Sequence, residues 1–199
     1  PVPVTPKRRW GVLAAAAAYY TYSPSSNTYS NAYVNNQANN STASPNPVLS
    51  FLMDSRPSGE VLANDSTIYE FVRVVVRNTG NVPVGLTAIN VATNGLLSDF
   101  YYNNMLLYGW SNVNVSQCVL KENTNNGSPG CTFNLGLDPN WVIPPGSEKT
   151  FRVSGTISSS AQSGKQIRVG VTGFMSDKNS LKFNLEAFPM FGNYMTVKK

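Results

Sequence analysis

Strict two-residue alternation, repeated through much of the chain after residue 46, is the feature that most limits the folds open to it. In an extended segment Phe151, Val153, Gly155 and Ile157 point away from Thr150, Arg152, Ser154 and Thr156, so one face is apolar and the other polar. Leu181, Phe183 and Leu185 against Lys182, Asn184 and Glu186 repeat the pattern, as do Ile167, Val169 and Val171 against Gln166, Arg168 and Thr172. Segments of this kind are strands buried on one side. Residues 67–77 are apolar on both faces, which predicts a more central strand, and residues 100–110 and 113–120 are further candidates. Turn chemistry lies between them: Asn78-Thr79-Gly80-Asn81, Asn126-Gly127, Pro144-Pro145-Gly146 and Ser163-Gly164. No segment has a helical period. Eight or nine strands at this spacing predict an all-β, Ig-like antiparallel β-sandwich over residues 47–199.

The first 46 residues follow other rules. Prolines extend residues 1–6, Lys7-Arg8-Arg9 follows, and residues 10–22 form an apolar run with five consecutive alanines. Residues 23–46 are almost wholly Ser, Asn, Thr, Pro, Ala and Tyr, the composition of a linker. The reading is therefore a tail at 1–22, a polar linker at 23–46 and a head at 47–199. The apolar run has the basic flank and Ala-X-Ala sites of a secretory leader, but the chain starts at Pro, and the leader is expected to be gone already. At eleven to thirteen residues the run is too short for a membrane-spanning helix, which needs roughly twenty. No transmembrane segment is expected in the mature chain. Two other readings remain, an extra strand within the same molecule and a strand donated to another.

Physical argument favours donation. A sandwich lacking one strand exposes an apolar groove and a row of unpaired N–H and C=O groups, an assembly hazard unless it is the assembly mechanism. A neighbour's tail supplies the missing bonds, and because donor and acceptor surfaces differ, the contact propagates head to tail as a fibre. Val12, Leu13, Ala14, Ala16, Ala18, Tyr19, Tyr20 and Tyr22 are the expected donor-strand residues. The large ones supply buried area, and the alanines let an extended strand lie close between two sheets.

Charged residues make up 13% of the chain, about half the usual share, and the polar surface is built instead from 24 Asn, 22 Ser and 14 Thr. Such a neutral, hydroxyl- and amide-rich surface suits a secreted protein. The net charge of +5 is scattered singly apart from Lys7–Arg9 and the C-terminal pair, so nucleic acid is not an expected partner. With ten carboxylates and no His, few native ion pairs would be lost by protonation, and the fold is expected to tolerate acid.

The absence of His also removes Ser-His and Cys-His pairs, imidazole metal sites and the zinc-protease helix motif. No pair among the carboxylates stands out as a glycosidase-like couple. The chain is read as a non-enzyme without cofactor or metal. Cys118 and Cys131 flank a loop rich in Asn, Gly and Ser and are expected to form a disulfide across a hairpin in an oxidising compartment. Five Asn-X-Ser/Thr triplets occur, at Asn39, Asn40, Asn64, Asn114 and Asn126, against about four expected by chance from this composition. Asn39, Asn40, Asn64 and Asn126 fall in linker or turn composition open to N-linked glycans, whereas Asn114 falls at a strand candidate.

With its apolar tail, polar linker and a head containing Arg77-Asn78-Thr79-Gly80-Asn81-Val82-Pro83-Val84 and Val142-Ile143-Pro144-Pro145-Gly146-Ser147, the chain resembles archaeal surface-filament subunits. The thread filament subunits of thermoacidophilic archaea are the first family it resembles. Archaeal bundling pilins related to bacterial TasA-type matrix proteins are the second. The resemblance implies an exported, N-glycosylated subunit of a homopolymeric helical filament at the cell surface, joined to identical subunits by donor-strand complementation and serving adhesion or biofilm. A metalloprotease activity, sometimes attached to the second family, has no His to use here. A monomeric secreted surface or carbohydrate-binding module, with exposed Tyr and Trp stacking on sugars, is the competing reading.

Overall fold

A computed structural model describes residues 47–110, 115–122, 128–179, 181–184 and 187–199. The strands are β1 (Val48–Ser55), β2 (Gly59–Leu62), β3 (Ile68–Asn78), β4 (Val84–Thr93), β5 (Phe100–Tyr108), β6 (Val115–Val119), β7 (Gly130–Asn134), β8 (Val142–Ile143), β9 (Glu148–Ile157), β10 (Gln166–Ile167), β11 (Val169–Ser176), β12 (Lys182–Phe183), β13 (Met190–Phe191) and β14 (Met195–Lys198). Two three-residue 3-10 turns, Leu97–Asp99 and Pro139–Trp141, are the named helical elements, and Ala187 is also in 3-10 conformation.

One sheet of six strands runs β12-β1-β3-β9-β5-β6, and the facing sheet runs β13-β11-β4-β7 with β8 pairing β4. A small third sheet, β10-β14-β2, lies beside them in the pairing scheme. The fold is thus the expected β-sandwich, with two departures from pure antiparallel pairing. β1 with β12 and β14 with β2 run parallel. Each of those pairs joins segments far apart in sequence, which leaves the long connection that parallel neighbours require.

Alternation produces the core directly. Phe151, Val153 and Ile157 of β9 are buried while Arg152 and Thr156 stay half exposed, and Val72, Val74 and Val76 of β3 are buried between Arg73, Val75 and Arg77. β3 is central in its sheet, as its two apolar faces predict. Its register shifts between Glu70 and Val72, and both Phe71 and Val72 are buried. The alternation through Ile167, Val169 and Val171 also holds, but the strand does not. It is divided at Arg168, whose N–H donates to Asn94 Oδ1 and whose carbonyl accepts from Asn94 N and Thr93 Oγ1. Ile167 then belongs to the small sheet and Val169 to the facing sheet. β12 is shorter than residues 181–186 suggested; Leu185 and Glu186 lie outside the described residues.

The two turn motifs quoted for the family resemblance meet at Asn78, whose side chain is fully buried. Its Nδ2 donates to the carbonyls of Val82 (2.8 Å) and Ile143 (2.9 Å), and its Oδ1 accepts from Gly80 N (3.0 Å). Its backbone N–H donates to Ser147 O and its carbonyl accepts from Gly146 N, both at 2.9 Å. Gly146 has φ +68°, the left-handed conformation that the turn after Pro144-Pro145 demands and glycine adopts without strain.

Candidate functional site

The two sheets meet along two flanks, and the candidate site is the flank formed by β1 and β11. β1 has eight residues, yet its outer neighbour β12 pairs only Val48 and Leu49. Beyond them a side chain substitutes for a strand: Phe51 N donates to Asn184 Oδ1 (2.8 Å), and Asn184 Nδ2 donates to Phe51 O (2.9 Å). β11 is covered in the same partial way, with β13 pairing Gly170 and Val171 only. Residues 52–55 of β1 and 172–176 of β11 therefore have no outer strand neighbour among the described residues.

Between these two edges sit four phenyl rings. Phe51 of β1 lies 4.3 Å from Phe174 of β11 and 5.0 Å from Phe188, centroid to centroid, and Phe183 of β12 lies 4.8 Å from Phe174. Phe51 is buried, while Phe174, Phe183 and Phe188 are half-buried. Leu52 and Met175, on the same two strands, are exposed. The arrangement is an apolar seam between two sheet edges, partly covered by Phe183, Asn184 and Phe188, and its chemistry suits addition of an extended segment: backbone groups along the rims and aromatic surface between them.

The opposite flank is closed covalently. Cys118 of β6 and Cys131 of β7 are bonded, with Cα atoms 5.8 Å apart. The expected bond is present, but it does not close a simple hairpin. β6 pairs β5 in one sheet and β7 pairs β4 in the other, and the direct backbone link between the two segments is the single bridge Lys121 to Gly130. The disulfide is a staple between sheets.

Among the sequons, Asn64 is described. Its Oδ1 accepts from Thr67 N (2.9 Å) and Ser66 N (3.2 Å) and its Nδ2 donates to Thr67 Oγ1 (2.7 Å), a local turn on the surface between β2 and β3. Asn39, Asn40, Asn114 and Asn126 lie outside the described residues, as do the donor-strand positions Val12, Leu13, Ala14, Ala16, Ala18, Tyr19, Tyr20 and Tyr22 and the linker.

The carboxylates are sparse but more engaged than composition suggested. Six of the nine described ones form ion pairs: Asp54 and Glu70 with Arg73, Glu148 with Arg77, Asp177 with Lys178, Glu60 with Lys198 and Asp99 with Lys165. Asp99, only 3% exposed, also accepts from Leu96 N. Its bond to Lys165 is 2.6 Å. Asp65 accepts from the hydroxyl and backbone N–H of Ser159, which holds its carboxyl below the ordinary aspartate value of 3.8. A hydrogen bond to Glu70 raises Arg73 above the usual guanidinium value. Among the described residues no group of three or more His, Cys, Asp or Glu is placed to hold a metal ion, and no helix is long and apolar enough to cross a membrane.

No protein-family model and no curated protein matches the chain. Among solved structures it is similar to AvmM, which catalyses macrocyclization in alchivemycin A biosynthesis, at 13% identity over 78% of this chain and 90% of that one, with a TM-score of 0.42. The third cohesin of ScaC from Acetivibrio cellulolyticus aligns at 15% identity over 77% and 99%, with a TM-score of 0.32. CaCohA2 from Clostridium acetobutylicum aligns at 17% over 77% and 92%, with a TM-score of 0.34. All three scores lie below 0.5, so the β-sandwich assignment stands on the strand pairing of the chain itself.

Proposed function

We propose that the chain is the subunit of an extracellular homopolymer in which the tail of one molecule completes the β1–β11 flank of the next. The observation that carries this reading is the pair of under-covered sheet edges around the phenyl seam. β1 spans about 27 Å at roughly 3.4 Å per residue, so the eleven residues from Val12 to Tyr22 are long enough to run its whole length. Burying Val12, Leu13, Tyr19, Tyr20 and Tyr22 there contributes about 1.5–3 kcal/mol for each well-buried large side chain before ordering costs. A polar linker of different composition separates the tail from the head in sequence, and the intramolecular disulfide supports an oxidising, extracellular setting. Glycans on Asn64 and on the linker sequons Asn39 or Asn40 belong to the same reading, as does one on Asn126.

Electron microscopy of the full chain tests the proposal against a version lacking residues 1–22 and against a full-length Val12→Asp, Leu13→Asp variant. Filaments are expected from the first only. Filaments of normal appearance from either altered chain refute the donor role. Adding a peptide of residues 7–22 to the truncated chain should raise its melting temperature.

A further inference from the structure

Strand β5 contains a distortion that neither the core nor the proposed assembly flank requires. In a regular strand consecutive side chains point to opposite faces. Tyr101 and Tyr102 do not: their rings lie 4.2 Å apart with a tilt of 45°. The cause is the backbone, since Tyr102 (φ +51°) and Asn103 (φ +55°) are both left-handed. Asn tolerates that conformation, but for Tyr it is uncommon and costs energy. The register records the distortion, since Phe100 pairs Ile157 and the next pair is Met105 with Gly155, so four residues of β5 stand opposite Thr156 alone. The chain thus holds a strained loop that stacks the Tyr102 ring, 73% exposed, on the half-buried ring of Tyr101.

The surroundings are polar and rigid. Asp65, itself left-handed at φ +56°, binds Ser159 through both carboxylate oxygens, and its N–H donates to Ile157 O. Ser158 and Ser160 are bonded through their hydroxyls at 2.8 Å, and Ser160 Oγ donates to Ser98 O. On the other side of Thr156 lies exposed Ile68, its register partner on β3. Backbone strain in non-glycine residues persists where surrounding structure fixes it, and it concentrates at binding sites.

From the exposed Tyr102 ring, backed by Tyr101 and bordered by hydroxyl and carboxylate groups, the geometry points to a carbohydrate-binding site at Tyr101–Tyr102 that takes the pyranose face of a neutral polysaccharide. The outer, electron-rich face of the Tyr102 ring receives the weakly positive axial C–H groups of a sugar. The Asp65 carboxylate and the Ser159 and Ser160 oxygens keep acceptor lone pairs for the sugar hydroxyls, since their own O–H groups are committed to Asp65 and Ser98. A protein partner is disfavoured by the small apolar area, which consists of one exposed ring and Ile68 rather than a broad patch. The site does not depend on polymerisation and lies on a different strand from the β1–β11 flank.

The test is affinity electrophoresis of the full chain through gels containing mannan, a β-1,3-glucan or a galactan, with polygalacturonate as an anionic control for the basic chain. Retardation is expected in at least one neutral gel, abolished by Tyr102→Ala and kept by Tyr102→Trp. Retardation by polygalacturonate alone, no retardation in any neutral gel, or equal retardation of Tyr102→Ala each overturns the assignment. Tyr102→Gly removes the ring while relieving the backbone. Its melting temperature is expected to equal or exceed that of the parent while retardation is lost, whereas a clear fall in melting temperature would make the ring pair a structural brace and overturn the site.

Discussion

On one flank of the sandwich the edge strands β6 and β7 are joined by a covalent bond, whereas on the other β1 and β11 are covered by two two-residue strands, a side-chain amide and a set of phenyl rings. Both solutions address the hazard of an open sheet edge. A disulfide acts chiefly by restricting the unfolded chain, and it fixes the two edges permanently. Among the described residues, the short strands and Asn184 bond only part of their edges. In the assembly proposed above, one flank stays shut and the other is completed by a neighbour.

Removing aromatic surface from the open flank should have the largest effect. Phe51→Ala is expected to cost about 3–5 kcal/mol, because a buried ring touching Phe174 and Phe188 is replaced by a cavity. Urea unfolding measures this, and a loss below about 1 kcal/mol would separate the seam from the core.

The closed flank comes next. Replacing Cys118 and Cys131 together with Ser should lower stability by about 3 kcal/mol, given the 13-residue separation. Reductant should bring the parent chain to the same value. Filament formation, in the assembly proposed above, should survive this change.

Asn184→Ala removes both amide bonds to Phe51 and should cost about 1–2 kcal/mol, with faster hydrogen exchange at the Phe51 amide. Combining it with the cysteine replacements sharpens the comparison. The two flanks share no bonding partner, so the losses should add to within about 0.5 kcal/mol.

The smallest effect concerns acid. Asp65 has a lowered folded value, so its stabilising contribution is complete above the ordinary 3.8 and is lost only as pH falls through the lower, folded value. Asp65→Asn should therefore melt below the parent at neutral pH and converge with it in strong acid. Identical melting curves at every pH would show that the Ser159 contacts contribute nothing.

Alternation made β9 and the start of β11 legible, because burial on one face leaves a direct period in sequence, and β3 was legible as a run apolar on both faces. β4, the central strand of its sheet, leaves no such trace. Its buried residues include the consecutive run Val84, Gly85 and Leu86 and the pair Ala88 and Ile89, so there is no clean polar face. Asn78 and Gly146 were readable as turn residues, but their mutual bonding was not, since it joins segments almost seventy positions apart. The disulfide partners were readable too, whereas the two sheets that they connect depend on which strands pair β5 and β4. The paired tyrosines had no periodic signal at all, because their shared face comes from two left-handed residues that a strand pattern does not encode.

What the sequence determined by itself is what local chemistry can enforce: extended strands from two-residue patterning, turns from Asn, Gly and Pro, a pool of only two cysteines, and no imidazole for catalysis. Tertiary structure alone decided which edges neighbour one another, and hence that one flank is stapled and the other, among the described residues, only partly covered. Strand order and register are set by long-range packing and by cross-strand bonds between distant segments, and no local window of sequence contains both partners.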